Sequence, residues 1–382
     1  MITILYLETG SGYGGSAQSL YQLLSAIDRT RFRPIVAAYS EGSGIRRIGA
    51  LDIPVRLLPG PRSVPSGYGR LLAYWAGVEL PRTLRLMRII RRERVDMVHL
   101  NTDLYGAMAG LWAAKLMRRP LICHLRLTRR PTRLERLFGK MPNYLVVLTQ
   151  HGLNYYRPFW PRQRIRVVYD AVDAPPHDNG TANGLRKELG LSDGAPLVGL
   201  IGRCVPGKGH GEFIQAAAIV SKRCPEARFL IVGNGPCGKP EYEAKLRRLV
   251  DELRLNGTLI WVGWRDDLQQ VLGELDVVAQ VSTSPEGFGR VAIEAMASGT
   301  PVIATSLPVF AEVIGNAGWL VPPGDVKALA QGVQTLLEDR PHAQRLVAAG
   351  KQRVRNLFSL EAHARTLERI YDEVLTARNS GQ

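Results

Sequence analysis

Apolar residues in the first half of the chain fall in short runs at 2–7, 34–39, 53–58, 95–100, 120–125 and 144–149, each of strand length. Between them, apolar positions recur with helical spacing over 16–27, 82–94, 104–117 and 132–139. Strand–helix alternation predicts a parallel sheet with helices on both faces. A polar, breaker-rich stretch follows, Ala174-Pro-Pro-His-Asp-Asn-Gly-Thr-Ala-Asn-Gly184, and reads as a linker. The pattern then restarts, with strands predicted at 196–201, 227–232, 258–262, 276–281, 301–304 and 318–321. Helices are predicted at 210–223, 239–254, 267–273, 289–298, 325–338, 341–356 and 360–376. The expected class is α/β: two Rossmann-like, doubly wound domains, 1–173 and 185–358, facing a central cleft, with a closing segment 359–382.

Composition agrees with a folded protein and narrows the setting. A chain of 382 residues exceeds one ordinary core, and 45% apolar against 22% charged residues excludes disorder. Cys123, Cys204, Cys224 and Cys237 form no CxxC or Cys/His cluster, so unbridged thiols in a reducing compartment are expected. The start, Met1-Ile-Thr-Ile-Leu-Tyr-Leu, lacks the basic region of a signal peptide, and no apolar run is long enough to span a bilayer. A cytoplasmic protein, peripheral on the inner face of the membrane, is the expectation. The formal net charge of +16 is segregated. Residues 1–180 hold 27 lysines and arginines against 12 acids, whereas the remainder holds 23 against 22. Such asymmetry points the first half at something acidic.

The densest chemistry lies in Ser284-Pro-Glu286-Gly287-Phe288-Gly289-Arg290-Val-Ala-Ile-Glu294. Glu286 follows a strand and precedes a glycine loop; Glu294 is expected about two turns into the next helix. Gly287 and Gly289 let backbone N–H groups approach a ligand at a helix N-terminus. Two carboxylates beside such a loop suit a ligand carrying both hydroxyls and phosphates, as a nucleotide sugar does. Gly202-Arg203-Cys-Val-Pro-Gly-Lys208-Gly adds two cations at a glycine-rich turn before a helix, suited to a diphosphate. Val232-Gly233-Asn234-Gly235-Pro and Val262-Gly263-Trp264-Arg265 end the next two strands, where open α/β sheets place their ligand crevice.

Taken in order from about 197 to 325, these pieces closely resemble the family 4 retaining nucleotide-sugar glycosyltransferases, which have the GT-B fold. The resemblance implies that Arg203 and Lys208 hold the donor diphosphate, Glu294 the ribose hydroxyls and Glu286 the donor sugar. It implies contacts from the backbone of 287–290 and a frame for the base near 262–265. The closing helix then crosses back to the first domain. Gly14-Gly15-Ser16 resembles the family's glycine loop, Asn101 follows a strand that lines the cleft, and His124 takes the place of a cleft histidine that contacts the donor sugar. Tyr169-Asp170-Ala-Val-Asp173 departs from the usual Asn-Gly-Val-Asp of the interdomain segment. The implied reaction moves a sugar from a UDP- or GDP-sugar to a hydroxyl of a glycan or lipid-linked acceptor, with retention, in envelope polysaccharide or glycolipid synthesis. Catalysis would rest on Arg203, Lys208, Glu286 and His124, without a protein nucleophile. No Asp-x-Asp pair is present, so no metal and no cofactor beyond the donor are expected.

Other readings compete. Gly10-Ser-Gly12-Tyr-Gly-Gly15 is a formal GxGxxG, and Glu41 stands where a Rossmann domain places its ribose acid, which would suit an NAD-dependent oxidoreductase. A nucleotide-sugar epimerase could share the fold. Arg82, Arg85 and Arg88, with Arg129 and Arg130 further on and Trp75 in the apolar stretch 71–80, suggest an acceptor face against an anionic leaflet. A packed helix with a solvated arginine face fits the same residues. Nothing suggests a nucleic-acid module.

Overall fold

The computed structural model describes residues 1–10, 14–58, 73–173, 184–233 and 239–379. The chain divides into two compact units, residues 1–171 with 360–382, and residues 172–359. The linker stretch 174–183, Asn234, Gly235 and Cys237 lie outside the described residues.

Unit 1 is built on seven parallel strands in the order β3-β2-β1-β4-β5-β6-β7. They are β1 (Ile2–Glu8), β2 (Phe32–Ala38), β3 (Val55–Leu57), β4 (Met97–Leu100), β5 (Leu121–Leu125), β6 (Tyr144–Val147) and β7 (Ile165–Val167). Its helices are α1 (Gly15–Ala26), α2 (Ser43–Gly49), α3 (Leu80–Arg92), α4 (Met108–Leu116), α5 (Arg133–Phe138) and α6 (Gln150–Tyr156). Period-two alternation decides which core each strand residue enters. Leu5, Leu7, Val98, Leu100, Cys123 and Leu125 join one core with residues of α3 and α4. Ile4, Tyr6, Met97 and Ile122 join the opposite core, beside α1 and the last helix of the chain.

Unit 2 repeats the scheme with six parallel strands, β10-β9-β8-β11-β12-β13. These are β8 (Leu197–Ile201), β9 (Arg228–Val232), β10 (Leu259–Gly263), β11 (Val277–Gln280), β12 (Val302–Thr305) and β13 (Trp319–Val321). Its helices run α7 (Gly184–Glu188), α8 (His210–Val220), α9 (Pro240–Glu252), α10 (Leu268–Glu274), α11 (Arg290–Ser298), α12 (Pro308–Ile314), α13 (Val326–Glu338) and α14 (Arg340–Leu357). The final helix, α15 (Leu360–Asn379), belongs to unit 1, where Tyr371 packs edge-on to Phe32 and accepts or donates at His99 Nδ1 over 2.8 Å.

The pattern-based expectation missed β7 and the short helices α2, α6, α7 and α12. Strand β7 is three residues long and interrupted by Arg166, and the helices are seven residues or fewer, too short to show a period. In both sheets the order reverses beside the first strand of the unit: between β1 and β4, and between β8 and β11. That switch point, at the strands' carboxyl ends, is where such sheets open a crevice.

Candidate active site

The two richest motifs flank the switch point of unit 2. The segment 202–209 leaves β8, and 281–289 leaves β11, its sheet neighbour. The two loops are laced together: the Thr283 and Ser284 amides donate to the Gly207 carbonyl at 2.9 and 3.3 Å. Gly209 begins α8 with φ +80°, and a Cβ there would strike the Val281 carbonyl. Gly289 begins α11 in the same left-handed region, at φ +83°, and a Cβ there would enter the Phe310 ring. Both positions need glycine, for the conformation and for the space.

Loops 78 residues apart in the chain thereby meet: Lys208 Nζ donates to Glu286 Oε1 at 2.6 Å. Ser282 Oγ donates to the same oxygen at 2.5 Å, and Thr305 Oγ1 donates to the Ser282 carbonyl at 2.7 Å. The Lys208 and Glu286 side chains are 30% and 15% exposed, so the pair is open to a ligand. Glu294 is the fifth residue of α11, one turn in and not two, because Gly287–Gly289 form the loop before the helix. It is buried and accepts from Arg290 across one turn at 2.9 Å. Arg203, on the loop that leaves β8, is exposed. His210, first residue of α8, is buried, and burial, then the nearby Lys208 charge, pushes its pKa down to about 4.

The remaining expected donor residues sort by environment. The Gly202 amide donates to Val232 O at 2.8 Å and the Gly233 amide to Gly263 O at 2.7 Å, which ties the ends of β8, β9 and β10 together. Val262 and Gly263 are half-buried at the end of β10, and Trp264 is exposed with its Nε1 on Asp266. Arg265 is engaged bidentately by Asp267 and by Glu188, so its guanidinium is a strut between β10 and α7. The Phe288 ring is buried edge-on against Phe358, so that residue anchors the loop by its side chain.

Unit 1 assembles polar groups at its own switch point. Glu8, at the end of β1, accepts from the Gly10 amide at 2.8 Å, Ser16 Oγ at 3.1 Å and Asn101 Nδ2 at 2.5 Å. Burial raises its pKa above the usual carboxylate range against these bonds. Arg126, just past β5, donates to Asn101, to Ser19 and, at 2.7 Å, to Asp170. Gly14 caps α1 and Gly15 is its first residue. His124 is not at this edge. It lies inside β5 at 0% exposure, on the α15 side of the sheet and stacked on His99 at 5.7 Å. Its place within the strand keeps it in the core; Arg126, two residues on and on the same face, lies past the strand end. Burial and the Arg126 charge hold His124 well below the ordinary histidine value. The oxidoreductase reading gains nothing, since Glu8 occupies the space beneath Gly10, Gly12 lies outside the described residues and Glu41 is exposed.

The basic face is also redrawn. Arg82 is buried, donating to Glu79 at 2.9 Å and stacked over the Tyr39 ring. Arg129 is clamped by Glu135, while Trp75, Arg85, Arg88 and Arg130 are exposed. Sequence reasoning missed Ser282, Glu8 and Arg126 as site residues. Their only signal was position: a polar or charged residue at or just after the end of an apolar strand.

Comparison with known proteins matches residues 183–353 to the model of glycosyl transferases group 1, and residues 13–174 to that of glycosyltransferase family 4. The 2-deoxystreptamine glucosyltransferase of Streptomyces kanamyceticus is 28% identical over 83% of this chain and 87% of its own. The D-inositol 3-phosphate glycosyltransferase of Corynebacterium efficiens is 35% identical over 57% of this chain and 53% of its own. The crystal structure of Anabaena HepE in complex with UDP-glucose superposes with a TM-score of 0.84 at 22% identity, covering 98% of this chain and all of that one. Both halves of the chain thus carry a glycosyltransferase domain, and the chain belongs to the family 4 glycosyltransferases of GT-B fold.

Proposed function

We propose that this glycosyltransferase takes its sugar from a UDP- or GDP-activated donor bound at the switch point of unit 2. It passes the sugar, with retention at the anomeric carbon, to a hydroxyl of a lipid-linked or phosphate-bearing glycan. The observation that carries the reading is the Lys208–Glu286 contact of 2.6 Å, which puts a cation for the diphosphate beside a carboxylate for sugar hydroxyls. Arg203 lies on the same loop, and α8 and α11 both begin there, adding partial positive charge toward an anion. In this reading Glu294 accepts from the ribose hydroxyls and Glu286 from those of the sugar. HepE, a protein of the same fold, has been solved with UDP-glucose.

In this mechanism Arg203, Lys208 and the helix amides stabilise the departing diphosphate, whose oxygen takes the acceptor proton on the same face of the sugar. No metal is needed to offset the leaving charge. The chemistry is positioning and electrostatics, without a protein nucleophile. A thermal-shift screen against UDP, GDP, ADP, dTDP and NADH, with and without magnesium, tests the reading. A selective, metal-independent rise with one nucleoside diphosphate is expected, and Arg203→Ala should weaken that nucleotide and its sugar alike. A rise with NADH alone, or an unchanged affinity in Arg203→Ala, overturns it. An epimerase would consume the donor with no acceptor present.

A further inference from the structure

The surface formed by residues 73–140 carries one sign of charge. This stretch holds fifteen arginines and lysines and five carboxylates. Ten of the cations are exposed and none of the carboxylates is. Each carboxylate is engaged within the unit: Glu79 by Arg82, Glu93 by Arg33 and Arg56, Asp103 and Glu135 by Arg129, and Asp96 by the Thr3 amide. No carboxylate of the stretch is left exposed to offset its outward cations.

The same stretch contributes seven of the twelve exposed large apolar side chains among the described residues. Trp75 is 41% exposed, Leu84 46% and Leu137 59%. On α3, Leu80, Leu84 and Arg88 stand one turn apart and form an outward ridge, with Arg85 beside it. On α5, Leu134 and Leu137 are exposed next to Arg133. The two helices belong to one layer. Residues of α3, α4 and α5 pack into the same core on the same side of the sheet, and Trp112 of α4 meets Phe138 of α5 edge-on at 5.9 Å.

We propose that this layer docks on an anionic lipid bilayer, its arginines among the headgroups and its leucines and Trp75 beneath them. Cations alone would serve any polyanion. Exposed leucines and a tryptophan interleaved with them are costly in water and are matched by the headgroup–acyl boundary. The inference deepens the proposed reading of a lipid-linked acceptor and rests on it for its purpose, though the surface itself is independent of the donor site.

The test is co-sedimentation of the full chain with vesicles of phosphatidylcholine alone and of phosphatidylcholine with phosphatidylglycerol. Binding is expected only to the anionic vesicles, and Arg85→Glu with Arg88→Glu should reduce partitioning by about tenfold or more at low salt. Trp75→Ser with Leu84→Ser should weaken vesicle binding while leaving heparin binding unchanged. All four positions are exposed, so Tm and the thermal shift produced by a nucleoside diphosphate should stay at wild-type values. Equal binding to neutral and anionic vesicles overturns the proposal, as do charge-reversal variants that bind like wild type. If the serine variant keeps full vesicle binding and heparin competes, the surface reads a soluble polyanion instead. Loss of the nucleotide shift with vesicle binding intact would count against the donor site and not against this surface.

Discussion

Replacing Glu286 with glutamine removes one charge from the proposed donor site while keeping its shape and an acceptor for Ser282. The Lys208 ammonium is held by Glu286 at 2.6 Å, with side chains 30% and 15% exposed. A diphosphate must draw Lys208 away from that carboxylate or share it. Partly solvated pairs are worth about 1 kcal/mol at most once screening is counted. Removing the competitor should therefore tighten a free nucleoside diphosphate by up to about fivefold. The intact donor loses a charge-assisted hydrogen bond to its sugar, worth about 1.5–3 kcal/mol, so kcat/KM for transfer should fall by about tenfold or more. Lys208→Ala should instead weaken nucleotide and donor together. Isothermal titration with the nucleoside diphosphate identified by the thermal-shift screen, beside a transfer assay, separates these signs. A Glu286→Gln variant that binds the nucleotide as poorly as Lys208→Ala would refute the competition argument, and the carboxylate would have to be holding the loop itself.

Glu294→Gln should lose about fivefold in donor affinity by titration, since a neutral acceptor is weaker toward ribose hydroxyls; wild-type affinity would remove it from that role. Arg82→Ala leaves Glu79 buried without its cation, about 3–5 kcal/mol, and should lower the melting midpoint of unit 1 by roughly 10 °C, whereas Arg85→Ala should leave it unchanged in calorimetry. His210 is held neutral, with its pKa at about 4 in the fold, while the unfolded chain takes up a proton below about 6.5. Its contribution is full above that value and lost as pH falls toward 4, about 1 kcal/mol by pH 5.5. Urea unfolding of His210→Asn should show a correspondingly smaller loss between pH 7 and 5.5.

Much of the fold was legible in the sequence because a parallel sheet announces itself. Strands buried on both faces need continuous apolar runs, and the crossover helices between them need a 3.6-residue period. Both signals are local, and they placed β1, β4, β8, β11 and α11 close to where they stand. Glycines that only a positive φ or a close approach explains, Gly209 and Gly289, were legible for the same reason. So were Arg203, Lys208, Glu286 and Glu294 as types of residue in a suggestive order.

Direction of side chains and pairing across the sheet were not legible, because they depend on residues far apart in the chain. That Lys208 meets Glu286 follows from β8 and β11 being neighbours at a switch point, which no local pattern encodes. His124 and Arg126 share a face of the sheet, and what separates them is depth: His124 lies within β5, buried, while Arg126 lies past the strand's end. Arg82 looked like one of a row of surface arginines until the fold set Glu79 and the Tyr39 ring against it. The sequence carried the charge asymmetry of the first half; only the tertiary structure, by engaging every carboxylate of residues 73–140 inside the unit, turned it into a cationic surface with leucines on it.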